Sequence, residues 1–97
     1  MKSLSNPVVF EWDKGNIGKN NIHGVAEDEA EEPFFDEQKK TFPDRLHSGK
    51  EERFRIIGKT KLERLLFIAF TIRKKRIRII SARDANKKEV PLYEKTA

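Results

Sequence analysis

The amino-acid sequence predicts one small α+β domain, in which an antiparallel sheet carries its helices on one face. The chain has 97 residues, with 36% hydrophobic and 38% charged side chains, which is enough for a single core. Apolar stretches with strand character are concentrated after residue 38 and are separated by short charged links. Segments that favour helices lie before and after these strands, and this arrangement is typical of an α+β domain.

The first part of the chain predicts one strand and two helices. Residues 1–7 are expected to form a flexible lead-in, and residues 8–97 the single domain. Residues 8–12, with the sequence VVFEW, are rich in β-forming side chains and predict a short strand. The aspartate that follows is a good helix N-cap, so a helix is expected over residues 13–22. A second helix is expected over residues 27–32, where acidic side chains suit its first turn.

The second part of the chain predicts a run of strands. They cover residues 39–42, 53–58, 65–72 and 76–81. Consecutive strands joined by short links form an antiparallel meander. A final helix is expected to begin near Asp84 and to be interrupted at Pro91. The sheet face that the helices leave uncovered is expected to be basic, because arginines recur along these strands.

The charges are divided unevenly along the chain. Residues 1–38 carry nine acidic and three basic side chains, whereas residues 39–97 carry seven acidic and eighteen basic ones, for a net charge of +5. A chain with this polarity attracts polyanions to one of its surfaces. Nucleic acid is the first partner that this pattern suggests, and an acidic protein is the second.

Composition excludes most classes of catalytic site. The chain has no cysteine, which excludes thiolate chemistry and fits a reducing, cytoplasmic compartment. Its two histidines, His23 and His47, lack the spacing of a metal site, and no phosphate-binding glycine loop or serine elbow is present. No stretch approaches the ~20 apolar residues of a membrane span, so no membrane partner is expected. Neither a metal nor a cofactor is predicted.

The side chains that remain for catalysis are those of arginine, lysine, histidine and the acidic residues. Of the reactions that such side chains can catalyse, RNA cleavage requires the fewest catalytic groups from the protein. The substrate's own 2′-hydroxyl supplies the nucleophile, so the protein has to position the strand, move a proton and neutralise charge. Arg76 and Arg78 share one face of their predicted strand. Arg83 follows at the predicted junction with the last helix, and Arg64 opens the preceding strand. The predicted RNA-binding side chains are Arg53, Arg55, Arg76, Lys87 and Lys88.

Each of these residues also has a structural interpretation. The arginines can form a solvated basic face or pair with acidic side chains across the sheet. His47, in the loop before the second predicted strand of the meander, is either an acid–base group or an inert loop residue. Tyr93, the only tyrosine, stacks on a base or anchors the last helix.

Several motifs resemble those of the BrnT toxin family. They are F-E-W-D-K-G-N at 10–16, H-G-V at 23–25, E-A-E-E-x-F-F-D at 29–36, E-E-R-F-x-x-I-G-K-T at 51–60, R-L-L-F at 64–67 and R-I-I-S-A-R at 78–83. The motifs follow one another in the family's order and extend over nearly the whole chain.

The resemblance implies a RelE-like α+β fold and a metal-independent endoribonuclease of a bacterial type II toxin–antitoxin system, which inhibits translation by cleaving RNA. It also implies a BrnA-type antitoxin with a ribbon-helix-helix element, which neutralises the toxin and contacts operator DNA on behalf of the complex. The catalytic residues that it implies are Arg64, Arg78 and Arg83 first, followed by His47, Glu52 and Tyr93.

Two prolines depart from the family pattern and leave an alternative open. Pro33 and Pro91 fall where helices of the family continue. The alternative is a degenerate toxin, a non-catalytic basic module that holds an acidic partner protein or nucleic acid. Salt-sensitive binding without turnover is its expected property.

Overall fold

A four-stranded antiparallel sheet is the centre of the fold. The structure is a computed structural model that describes residues 8–18 and 23–95. The strands are β1 (Lys40–Pro43), β2 (Arg53–Lys59), β3 (Leu65–Arg73) and β4 (Arg76–Asp84), in the order β1-β2-β3-β4. Each strand pairs with its sequence neighbour in antiparallel orientation, which confirms the predicted meander and the α+β class.

A β-bulge in β4 decides which of its side chains share a face. Ala69 of β3 pairs with Ser81, but the next residue, Phe70, pairs with Ile79, so Ile80 is an extra residue in β4. A bulge of this kind shifts the alternation of side chains by one position. Arg78 and Ser81 therefore point to the same face although they are three residues apart.

The core lies between one face of the sheet and the first helical segment. Helix α1 (Glu27–Glu31) continues into a 3-10 helix (Glu32–Phe35), and Phe34 packs edge-on against Phe70 with ring centroids 5.0 Å apart. Pro33 stands in the first turn of the 3-10 helix, where its fixed φ and missing N–H are tolerated. The buried core residues are Val25, Ala30, Phe34, Ile56, Leu66, Ile68, Phe70, Ile79 and Ala82.

The predicted first strand is reduced to one bridge against the outer edge of β4. Phe10 pairs with Ile77 in parallel orientation. The backbone N–H of Glu11 donates to the Ile77 carbonyl at 2.8 Å, and the Ile77 N–H donates to the Val9 carbonyl at 2.9 Å. The segment thus protects part of an edge strand, but it is too short to count as a fifth strand.

The helix predicted over residues 13–22 is wrong for its described part, because residues 13–18 form turns. Buried Asn16 explains the difference. Its amide group donates to the carbonyls of Glu11 and Ile79, at 2.9 and 3.0 Å, and accepts from the Asp13 N–H at 2.8 Å. These bonds satisfy the backbone locally and compete with a helix. Residues 19–22 and the predicted lead-in at 1–7 lie outside the described residues.

The end of β4 also differs from the prediction. The strand continues to Asp84, three residues further than expected, so Arg83 lies within the strand and not at a helix N-terminus. Pairing even extends past the strand, since the Ala85 N–H donates to the Leu65 carbonyl at 3.0 Å. The last helix, α2, covers only Val90–Glu94, and Pro91 stands in its first turn, where it begins the helix and does not interrupt it.

The C-terminal segment (residues 85–95) lies on the face opposite the core. Glu89 binds Arg83, and Lys59 lies over the ring of Tyr93, with Nζ 5.7 Å from the centroid. By strand alternation, Arg83 and Lys59 point away from the core face. The expectation that all helices share one face is therefore wrong for α2. The Tyr93 hydroxyl donates to Asp36 at 2.7 Å and fastens α2 to the end of the 3-10 helix.

A glycine in β2 is expected to be required for the packing of the 3-10 helix. A Cβ atom on Gly58 would lie 2.9 Å from the carbonyl oxygen of Pro33 and 3.0 Å from its Cβ. Since backbone atoms yield little, Gly58→Ala is expected to lower the free energy of unfolding by about 1–3 kcal/mol. Urea denaturation measures the change. Gly49→Ala is the matched control, because a Cβ there meets nothing within 4 Å. Equal stability of the two variants would contradict the close packing.

The Tyr93 hydroxyl is expected to ionise only in strong alkali. Burial and the hydrogen bond to Asp36 raise the pKa of Tyr93 to about 12. Because the folded value is raised, the neutral phenol stabilises the fold fully below its unfolded pKa of about 10, and this contribution is lost as the pH rises through about 12. The chain has one tyrosine, so ultraviolet titration of the phenolate reports this group alone.

Asp36→Asn is expected to lower the titration midpoint of Tyr93 toward about 10. Glu37→Gln removes a neighbouring exposed carboxylate and is expected to leave the midpoint in place. A midpoint near 10 in the folded, unsubstituted protein would show that Tyr93 does not hold α2 in this way.

Candidate active site on the sheet face

The sheet face opposite the core carries its side chains in three cross-strand rows. Strand register gives the rows Arg53–Thr71–Arg78, Arg55–Ala69–Ser81 and Ile57–Phe67–Arg83. Successive rows are roughly 7 Å apart along a strand. In the middle row, β3 and β4 contribute only the small side chains of Ala69 and Ser81. On β4, these small side chains therefore lie between the row of Arg78 and the row of Arg83.

A histidine and a buried aspartate stand together beside this face. The Asp44 side chain is only 6% exposed, and its two oxygens lie 3.1 and 3.0 Å from Nδ1 of His47. Backbone bonds fix the loop: the Asp44 N–H donates to Arg53, and the Ser48 hydroxyl donates to the Asp44 carbonyl. The carboxylate therefore holds the proton on Nδ1 and leaves Nε2 of the half-exposed imidazole for proton transfer.

Arg55 completes this group from the neighbouring strand. Its Nε lies 3.0 Å from Asp44 Oδ2, and its Nη2 lies 3.5 Å from Nδ1 of His47. With a proton on Nδ1, this nitrogen and Nη2 of Arg55 are both donors and do not bind each other, whereas Asp44 accepts from Nδ1 of His47 and from Nε of Arg55. Burial acts to raise the pKa of Asp44, but the bonds from His47 and Arg55 outweigh it and lower that pKa. Asp44 therefore stays charged at neutral pH.

Phe67 places a second arginine next to the first. The Arg55 Cζ lies 5.4 Å and the Arg83 Cζ 4.4 Å from the centroid of its ring, so both guanidinium groups pack against the same aromatic ring. Glu89 binds Arg83 through two bonds of 2.8 Å, and this hydrogen bonding raises the pKa of Arg83. The His47 cluster is defined as Asp44, His47, Arg55, Phe67, Arg83 and Glu89.

Half of this cluster was not predicted from the sequence. Asp44 and His47 are three residues apart in a turn-rich loop, and this spacing is the only feature of the sequence that indicates their contact. Phe67 was hidden in the apolar run of β3. Glu89 lies in the helix that the sequence predicts from near Asp84. Because β4 continues to Asp84, the chain turns later than predicted and Glu89 contacts Arg83.

Arg78 belongs to a different cluster at the other end of the face. Its guanidinium binds both oxygens of Asp13 at 2.9 Å and one oxygen of Glu11 at 3.3 Å, and the hydrogen bond to Asp13 raises its pKa. Arg73 binds Glu51 nearby. The Arg78 cluster is defined as Glu11, Asp13, Glu51, Arg53, Arg73 and Arg78. The Ala69–Ser81 row separates it from the His47 cluster, so Arg78 and Arg83 are not neighbours.

Arg64 has a structural role at the end of the sheet, where it connects two segments of the chain. Nε and Nη2 bind the two oxygens of Asp84 at 2.6 and 3.1 Å, while Nη1 binds Glu29 at 3.2 Å. The same fork donates to the carbonyls of Gly24 and His23. The bond to Asp84, more than any other effect, raises the pKa of Arg64. The side chain thus joins the segment before α1 to the end of β4, outside the His47 cluster.

The other predicted site residues lie apart from the His47 cluster. Glu52 is exposed and contributes its backbone carbonyl, which accepts the Thr71 hydroxyl at 2.6 Å. Tyr93 is engaged with Asp36. Arg76, Lys87 and Lys88 are exposed at the margins of the face. Of the predicted catalytic set, the structure therefore brings together only His47 and Arg83, and it adds Arg55 from the predicted RNA-binding set.

Residues 8–18 and 23–95 contain neither a metal-binding group of side chains nor a membrane-spanning helix. No group of three or more histidine, aspartate or glutamate side chains in this part of the chain is arranged to hold a metal ion. No helix within it has the length and apolar character needed to cross a membrane.

Comparison with known proteins identifies the family. A sequence comparison with curated proteins finds no match. One protein-family profile, described as "Ribonuclease toxin, BrnT, of type II toxin-antitoxin system", matches residues 12–89. The matched region contains the whole sheet and every residue of the His47 cluster. The chain therefore belongs to the BrnT family of ribonuclease toxins of type II toxin–antitoxin systems.

Proposed function

We propose that this BrnT family member is a metal-independent endoribonuclease whose active site is the His47 cluster. The observation that carries the proposal is the contact of Asp44 with both His47 and Arg55 on an accessible sheet face. An oriented imidazole next to two arginines provides a base and a phosphate-binding site together. RNA needs little more, because its 2′-hydroxyl is the nucleophile.

Proton transfer is assigned to His47. Nε2 removes the proton of the 2′-hydroxyl as the 2′-oxygen attacks the adjacent phosphorus, and the bond from phosphorus to the 5′-oxygen breaks. The leaving 5′-oxygen takes a proton from water, and the imidazolium returns its proton to the hydroxide that remains, so the products are a 2′,3′-cyclic phosphate and a 5′-hydroxyl. The charged Asp44 keeps the imidazole oriented and stabilises the imidazolium that forms.

Arg55 and Arg83 are assigned to the scissile phosphate. Both guanidinium groups pack on Phe67, which limits their freedom and holds them at a fixed separation. Charge grows on the non-bridging oxygens as the 2′-oxygen attacks, and arginine forks bind such oxygens in bidentate fashion. Phosphate replaces the carboxylate of Glu89 on Arg83 when substrate binds.

Loss of the imidazole is expected to abolish most of the cleavage. Purified protein should cleave RNA in the presence of EDTA, and His47→Ala should lower kcat by about 10²–10⁴-fold. Gel analysis of end-labelled RNA measures both. His23→Ala is the matched control, because it removes an exposed imidazole outside the cluster. An unsubstituted protein that cleaves neither free nor ribosome-bound RNA would refute the enzyme proposal.

The family implies an antitoxin partner, and we propose that it is a BrnA-type protein with a ribbon-helix-helix element. In this proposal the chain inhibits translation by cleaving RNA, and the complex reaches operator DNA only through the antitoxin. Both RNA and a neutralising partner are expected to bind the basic sheet face, because its positive charge attracts negatively charged partners.

Expression of the chain in bacteria is expected to arrest growth, and co-expression of the neighbouring open reading frame to restore it. The His47→Ala variant, confirmed as folded by circular dichroism, should not arrest growth. Arrest that persists in this variant would mean that toxicity does not come from cleavage at the His47 cluster.

A degenerate toxin that binds without cleaving is the second candidate. The observation in its favour is that carboxylates already occupy Arg78 and Arg83, through Asp13 and Glu89. Pro33 and Pro91 do not add to this case, because each stands in the first turn of a short helix. Tight, salt-sensitive RNA binding with no product in the cleavage assay would favour this candidate.

A further inference from the structure

The Arg78 cluster encloses a cleft that the proposed cleavage reaction does not use. The cleft has a volume of about 190 Å³, and Arg53, Thr71, Arg73 and Arg78 are among its lining residues. We propose that it is a second phosphate subsite, which binds an RNA phosphate on one side of the phosphate that is cleaved at the His47 cluster. This inference rests on the proposed ribonuclease function.

The charges that line the cleft favour an anion. Three arginines line it together with one acidic residue, Glu51. Arg78 is 13% exposed and already binds a carboxylate through two bonds of 2.9 Å, the bidentate geometry in which a guanidinium also binds phosphate. This carboxylate belongs to Asp13, whose side chain is 54% exposed, and Glu11 contacts the same guanidinium at 3.3 Å, so a phosphate has to displace both carboxylates from Arg78.

Arg53 is the arginine of this cleft that is available to bind an anion. Within residues 8–18 and 23–95 its guanidinium makes no ion pair, in contrast to Arg73 and Arg78. Arg53 precedes Arg55 by two positions in β2, so their side chains leave the same face roughly 7 Å apart. That separation is close to the distance between successive phosphates of an extended nucleic-acid strand.

Only small side chains of β3 and β4 lie between the two sites. Ala69 and Ser81 face each other between the arginine rows, and neither side chain is long enough to obstruct a sugar–phosphate backbone. Proteins that bind single strands commonly follow the backbone along such a basic groove. The expected ligand is therefore a single-stranded RNA segment with at least two consecutive phosphates on the sheet face.

The length of the substrate tests the subsite. A tetranucleotide taken from a mapped cleavage site is compared with the dinucleoside monophosphate of the same cleaved step, which cannot reach the cleft. We expect kcat/KM to be at least about tenfold higher for the tetranucleotide, as a charged hydrogen bond to one more phosphate would give. Arg53→Ala should remove most of this advantage, chiefly by raising KM. Lys61→Ala, which removes one exposed cation from the loop between β2 and β3, should retain it.

Two results would overturn the subsite while leaving the ribonuclease proposal intact. One is equal kcat/KM for the two substrates, and the other is an equal loss on both substrates in Arg53→Ala. If the unsubstituted protein cleaves neither free nor ribosome-bound RNA, the ribonuclease proposal fails. Binding of a 2′-O-methyl tetranucleotide then decides the subsite: tenfold weaker binding by Arg53→Ala supports it, and unchanged binding overturns it.

Discussion

Pairing between arginines and carboxylates holds the irregular segments of this chain on its sheet. Asp13 and Glu11 bind Arg78 and bring the N-terminal turns to β4, and Glu89 binds Arg83 and brings the C-terminal segment to the same strand. An exposed pair of charges contributes little by itself, but a bidentate fork with several partners is more stable. The chain is 38% charged and has a small core, so these forks supply order that apolar packing does not.

In the proposed function, the same pairs orient the arginines of the sheet face for phosphate and also compete with it. A carboxylate holds each guanidinium in the orientation that a phosphate needs, so little side-chain entropy is lost when the substrate arrives. In the proposed mechanism, the substrate nevertheless has to displace that carboxylate from Arg83. A single small anion gains little from this exchange, whereas a polyanion repeats it at successive sites. The face is therefore suited to nucleic acid more than to small acidic metabolites.

The sequence predicted the parts of the fold that depend on local pattern. Apolar alternation predicted β2 and a continuous apolar run predicted β3, each to within one residue of its end, and recurring arginines indicated a basic face. Prediction from the sequence failed where contacts between residues distant in the chain determine the local structure. Asn16 forms turns in place of a helix because it bonds to Ile79, 63 residues away. The bulge at Ile80 depends on pairing with β3, so the separation of Arg78 from Arg83 by a whole row was not visible in the sequence.

The location of the C-terminal segment explains how a site of this kind can open without loss of the fold. All five residues of α2 are exposed or half-buried, and the segment is held by polar contacts of Glu89 and Tyr93. Segments with few buried apolar contacts open at lower free energy than the core. Because the core lies on the other face of the sheet, exchanging Glu89 for a phosphate disturbs none of its residues. In the proposed function, the core face of the sheet thus provides stability and the opposite face exchanges ligands.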